Sequence, residues 1–130
     1  MRKGEVARGT HGRVIVVDSI TQLDAGDAGA VVVSGSHGGT SSAEFALALP
    51  LRLVFFNDAG VGKDGAGIAA LALLQARGVP AASVAHSSAR IGDALDAWEH
   101  GVISHANLAA RGLGVQVGQP VSVAAQPLLG

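Results

Sequence analysis

A chain of 130 residues lies in the size range of one domain built on one core. Ten acidic against nine basic side chains leave a formal net charge of −1, which excludes the clustered cationic excess that a nucleic-acid binder needs to neutralise phosphates. Hydrophobic residues make up 48% and charged residues 15%, below the roughly 25% charge of an average domain, so disorder is excluded and surface buried against copies of the same chain is expected.

There is no cysteine, which removes a disulfide framework, a thiolate nucleophile and zinc–sulfur sites. No apolar run approaches the ~18–20 residues that span a bilayer. Met1-Arg2-Lys3 continues into Gly4-Glu5, with no apolar region suited to a secretory signal. A soluble cytoplasmic protein with no membrane or nucleic-acid partner is the expectation.

In chain order, residues 1–12 are polar and glycine-containing and read as a flexible or extended arm. Residues 13–17 (Arg-Val-Ile-Val-Val) read as a strand, followed by residues 30–33, residues 51–56 and, more weakly, residues 81–85. These runs are continuously apolar rather than alternating, the pattern of strands covered on both faces.

Helical segments fall between the runs. Ser41 and Glu44 make a capping-box pattern ahead of Phe45, and Pro50 stops that helix. Asp64 is placed to cap a second helix running to Arg77, ended by Gly78 and Pro80. Ser88 is placed to cap a third, in which Ile91, Leu95 and Trp98 share a face and Gly101 is the terminator. Residues 103–111 read as a fourth helix, and residues 115–123 as an edge strand because Pro120 argues against a central one. Strand–helix alternation predicts an α/β fold: a single-domain layer sandwich with a mainly parallel sheet of at least four strands.

In such sheets ligands sit outside the carboxyl ends of the strands. Three ends here carry unusual loops. The first, Ser34-Gly35-Ser36-His37-Gly38-Gly39-Thr40, offers backbone N–H groups and a following helix start to a carboxylate or phosphate. It also has the small-x-Ser-x-small spacing of a nucleophile elbow, against the plainer reading of a capped turn. The second, Asn57 to Asp64, has the outline of a P-loop. Asn57 stands where the first glycine belongs and Asp64 where a magnesium-binding hydroxyl should be, so a degenerate nucleotide binder is only the third choice. Lys63 with Asp58 and Asp64 is either a charge-paired loop or a catalytic base. The third loop brings His86, Ser88, Arg90 and Asp93. Arg90 sits against the helix-dipole preference, which suggests a carboxylate contact, or simply a salt bridge to Asp93 or Asp58. No local spacing supports a metal site at His37 and His86, and no metal or cofactor is expected. His11, His100 and His105 read as surface or interface histidines, and Trp98 as core.

The combined pattern SGSHGG, FNDAGVGKDGAGI and HSSARIGDA, with GVISHAN behind it, resembles a group of short, uncharacterised bacterial α/β proteins over roughly residues 30–114. The resemblance implies one site built from three loops and carries no activity with it.

The functional expectation is a small enzyme acting on an anionic, carboxylate- or amide-bearing metabolite by acid–base chemistry of the hydrolase, lyase or isomerase type. His37, Asp58, Lys63 and His86 are the candidate catalytic groups. Ser36, Gly38, Gly39, Asn57, Ser88 and Arg90 are the candidate binding groups. The alternative is a non-catalytic anion-binding module or the small subunit of a larger enzyme. A mean hydropathy of +0.41 predicts a homo-oligomer, joined through residues 103–113 and the apolar tail.

Overall fold

The computed structural model describes all of residues 1–130. Its centre is a six-stranded sheet in the order β1-β2-β3-β4-β5-β6, which is also the order along the chain. β2 (Arg13–Val17), β3 (Val31–His37), β4 (Leu53–Asn57) and β5 (Ala81–Val84) are mutually parallel. β1 (Lys3–Arg8) pairs antiparallel with β2 and β6 (Ile103–Ala106) antiparallel with β5. The α/β fold with a mainly parallel sheet is therefore present, with an antiparallel strand at each edge.

The β-branched runs explain the four parallel strands, because alternate residues enter two different cores. Val14, Val16, Val31, Val33, Leu53 and Phe55 face one side, and Ile15, Val17, Val32, Val54 and Phe56 the other. All are buried, and each such side chain is worth roughly 1.5–3 kcal/mol. The second side is covered by α1 (Thr40–Leu47) through Ala43 and Ala46, and by α2 (Ala69–Gln75) through Ala70, Leu71 and Leu74. The first is covered by α3 (Ala94–His100), α4 (Leu108–Gly112) and α5 (Val121–Ala125) with the turn after it. No helix is long and apolar enough to cross a membrane.

Several local expectations are corrected. Residues 3–8 are not an arm but β1: Val6 and Ala7 pack on the core, and pairing with β2 supplies the order that a mixed polar sequence does not advertise. Residues 103–106 are strand rather than helix. Asn107 then caps the short α4 by accepting the Ala110 N–H at 2.9 Å. Residues 115–123 hold no edge strand beyond a single bridge from Pro120 to Val102. Pro120 instead opens α5, whose Val121, Ala124 and Ala125 are buried, as is Leu128 in the 3-10 turn that follows. The apolar tail thus gives Val115, Val121 and Leu128 to this chain's own core, while Val117 and Val123 stay exposed.

Helix starts shift as well. α1 begins after Gly39 with no side-chain cap, so Ser41 and Glu44 form no capping box. Asp64 does not cap α2, because Asp64 and Gly65 take φ of 57° and 72° and break residues 63–68 into a distorted 3-10 turn. α3 is capped by Asp93, not Ser88: the Asp93 carboxylate accepts the Asp96 N–H at 3.0 Å.

Candidate functional site

β3, β4 and β5 end at one edge of the sheet, and their loops are tied together there. The strand order never reverses, so the crevice that opens at a reversal in doubly wound sheets is absent. A bulge does the shaping instead. Val33 pairs with Phe55, yet the next pair is His37 with Asn57, so Ser34, Gly35 and Ser36 bow out against a single residue of β4. A Cβ at Gly35 would lie 2.7 Å from the Asp18 carbonyl and from the Gly92–Asp93 backbone, which is why glycine occupies the bow. The Gly92 N–H donates to Gly35 O at 2.7 Å, and the Gly38 N–H reaches both Asn57 O and Gly67 O at 3.1 Å.

Three expected binding residues are spent on this scaffold. Asn57 is buried, donates from Nδ2 to Ala89 O at 3.1 Å and accepts the Ala59 N–H at 2.8 Å. Ser88 Oγ donates to Ala85 O and accepts the Val102 N–H, at 2.7 and 2.9 Å. Ser36 Oγ accepts the Ile20 N–H at 2.9 Å.

Asp58 is the buried centre of the edge. Its Oδ1 accepts the Gly60 N–H at 2.8 Å, the His86 N–H at 3.1 Å and His86 Nδ1 at 3.2 Å. Its Oδ2 accepts the Ser104 hydroxyl at 2.7 Å. Burial pushes the carboxyl up, but the bonds from Ser104, Gly60 and His86 together outweigh it, and Asp58 ends below the usual carboxylate range. An ionised carboxylate can only accept, so His86 carries its proton on Nδ1, which leaves Nε2 as the unprotonated nitrogen. The His86 side chain is 60% exposed.

The loop from Ala59 to Gly62 separates this pair from a cavity. All four residues have φ between 52° and 77°, an uncommon conformation for Ala59 and a strained one for the β-branched Val61. His86 packs over Gly60, where an added Cβ would sit 3.7 Å from the ring. On the other side, Ala59, Val61 and Gly62 help line a cavity of about 400 Å³ together with His37, Gly39, Thr40 and Ser41. The His37 imidazole lies against Gly39. The N–H groups of Gly39, Thr40, Ser41 and Ser42 find no acceptor within the chain, as expected at a helix start.

Lys63 and Arg90 do not join this arrangement. Both are exposed and neither forms an ion pair or lines the cavity. Only the Arg90 backbone is engaged, its N–H donating to Asp96 Oδ2 at 2.8 Å. Lys63 opens only the 3-10 turn that Asp64 and Gly65 break, not a regular α-helix, so the P-loop outline of residues 57–64 does not fold as one. No cluster of three or more His, Asp or Glu side chains gathers with metal-binding geometry. Conversely, the edge includes Ser104, which lies outside the three glycine-rich loops. Its only sequence signal is its place in GVISHAN, and its contact with Asp58 spans 46 residues.

No protein-family model, no curated protein and no solved structure matches the chain.

Proposed function

We propose that this protein is a small enzyme that binds an anionic metabolite and moves a proton with His86, in a hydrolysis, elimination or isomerisation. The observation that carries the reading is the buried, ionised Asp58 bonded to Nδ1 of an otherwise exposed His86. A carboxylate in that position stabilises the imidazolium formed when Nε2 accepts a proton, which is the logic of a general base with an orienting partner. The unpaired N–H groups from Gly39 to Ser42 and the adjacent His37 suit a carboxylate or phosphate at the cavity. The Ala59–Gly62 loop lies between this anchor and His86, whose ring packs over Gly60, so the reading has the substrate extend past the loop to the base. In this reading His37, Gly39, Asp58 and His86 act, Ser36, Gly38, Asn57 and Ser88 hold the loops, and Lys63 and Arg90 take no direct part.

The reading also takes the chain as one layered domain working in the cytoplasm as a homo-oligomer. Exposed Phe45 and Leu73 on the outer side of α1 and α2 support self-association, as does Leu108 at the start of α4. The three glycine-rich loops, which resemble those of short bacterial α/β proteins, support one shared site.

A panel of carboxylates, amides and phosphates in a thermal-shift assay, followed by NMR detection of product from any hit, tests the proposal. A hit should stabilise the wild type and Arg90→Ala, and stabilise His37→Ala less. Its turnover should vanish in His86→Ala while its binding persists. Binding with no turnover in the wild type puts the non-catalytic module ahead. Loss of binding in Arg90→Ala overturns the placement of the anion.

A further inference from the structure

We infer that Ser104 is a positioning residue for the His86 base, acting through Asp58 as the fixed middle of a hydrogen-bonded chain that runs from His105 to His86. The inference rests on the reading of Asp58 and His86 as the acid–base pair and names what holds that pair in register.

The backbone gives the first reason. Between β5 and β6, Ser83 pairs with His105 and Val84 with Ile103, so one step on β5 faces two steps on β6. Ser104 is the extra residue and has no partner of its own across the ladder. A bulge of this kind re-aims a side chain, and it occurs here beside the candidate site. Without it, the side chain at 104 would take its turn in the regular alternation of an edge strand. With it, Ser104 Oγ comes within 2.7 Å of Asp58 Oδ2.

Proton counting gives the second. Ionised Asp58 has no hydrogen to offer, so Ser104 must donate in this bond. Its single hydroxyl hydrogen is then committed, which leaves the Ser83 carbonyl at 3.4 Å as a poor second acceptor. Ser104 Oγ retains its lone pairs, and His105 Nδ1 lies 3.2 Å away. His105 therefore donates from Nδ1. The chain reads His105 Nδ1–H to Ser104 Oγ–H to Asp58 Oδ2, with Oδ1 receiving the Nδ1–H of His86.

The division of labour between the two carboxylate oxygens gives the third. Oδ1 gathers three donors, all from residues 60 and 86, while Oδ2 has Ser104 alone. Ser104 is thus the one group that holds Oδ2, a second point of attachment that works with the three bonds at Oδ1 to keep the carboxylate aimed at the His86 ring. A hydrogen bond to the charged form also favours ionisation, so the same contact keeps Asp58 able to accept from the imidazole.

NMR on the intact chain tests this without a substrate. The readouts are the 13C titration of the Asp58 carboxyl and the 15N shifts that report which His86 nitrogen carries the proton. Ser104→Ala should move the Asp58 midpoint upward and raise the share of the Nε2–H tautomer of His86, and Ser104→Thr should restore both. A folded Ser104→Ala protein in which neither readout moves overturns the inference, as does a rise at Asp58 with the His86 tautomer unchanged. Asp58→Ala, which removes both acceptor oxygens, separates the two levels. If it leaves the His86 tautomer as in the wild type, the acid–base pair itself is wrong. If it shifts the tautomer while Ser104→Ala does not, the pair stands and only the role of Ser104 falls.

Discussion

Asp58 and Asn107 show how much a single buried polar side chain organises here, and neither role can be read from neighbours in the sequence. The folded Asp58 carboxyl lies below its ordinary range, so it contributes stability that is complete above the unfolded value near ~3.9 and is lost as pH falls through the folded one. Asp58→Asn should therefore lower stability by about 1–2 kcal/mol at about pH 7. The gap from wild type should narrow as the pH falls below the ordinary carboxylate range, a comparison for urea unfolding at neutral and acid pH. Asn107 is a purely structural counterpart. Its Nδ2 donates to Leu71 O and Val79 O, and its Oδ1 accepts the N–H groups of Ala81 and Ala110, which joins α2, β5 and α4 at one point. Asn107→Ala strands these buried groups and should cost about 3 kcal/mol by denaturant unfolding, with little effect on the Asp58–His86 pair. The sequence does point to Asp58 and His86 as members of one cluster. It misdirects at Arg90: a cation near a helix start breaks a preference, but the helix begins only at Ala94, so the preference never applied.

At the level of elements, what is legible and what is not divides by the source of each element's order. β2, β3 and β4 are legible because uninterrupted β-branched and aromatic runs have one reasonable fate, burial on both faces. β1 and β6 are edge strands held by pairing, and their short mixed sequences carry no periodicity of their own. The two bulges that shape the site are invisible for the same reason, since a register shift belongs to two strands at once. The loop after β4 is different. Its glycines are plain to see, but its conformation depends on a close approach of Gly67, where an added Cβ would overlap the Asp58 carbonyl. The Gly67 N–H also donates to Val61 O at 2.6 Å, which fixes the strained Val61. Gly67→Ala should push the loop off β4, lower stability by about 2–3 kcal/mol, and perturb the His86 ring signals although residue 67 does not touch that ring. A crowded loop that tolerates alanine with unchanged His86 spectra would refute the coupling.

Across the whole molecule, large apolar residues stay outside at several places, and two of them share the paired α1 and α2. Phe45 and Leu73 are each somewhat more than 40% exposed on the paired α1 and α2, while Leu108 is 71% exposed near the opposite edge of the sheet. If the chain self-associates through the helical pair, Phe45→Glu with Leu73→Glu should halve the mass seen by light scattering and leave the far-UV spectrum unchanged. A wild-type mass of one subunit at every concentration would instead reject the oligomer. The two faces of the sheet also differ in when they can be closed. The α1–α2 face is covered by the connections between the strands themselves, so each stretch of cover lies close in sequence to what it covers. The opposite face leaves Val14, Val16, Val31 and Val33 waiting for α3, α5 and Leu128–Leu129, the last of them more than a hundred residues after Val14 along the chain. Long loops must close before those contacts form, and that delays them. Refolding should accordingly pass through a half-closed species that binds hydrophobic dyes and whose α1 and α2 amides are protected before those of α5, an order that pulse-labelled hydrogen exchange can read. During that interval the valine-rich face is the surface on which chains would stick to one another, so losses to aggregation should track how fast α5 docks rather than how stable the finished fold is.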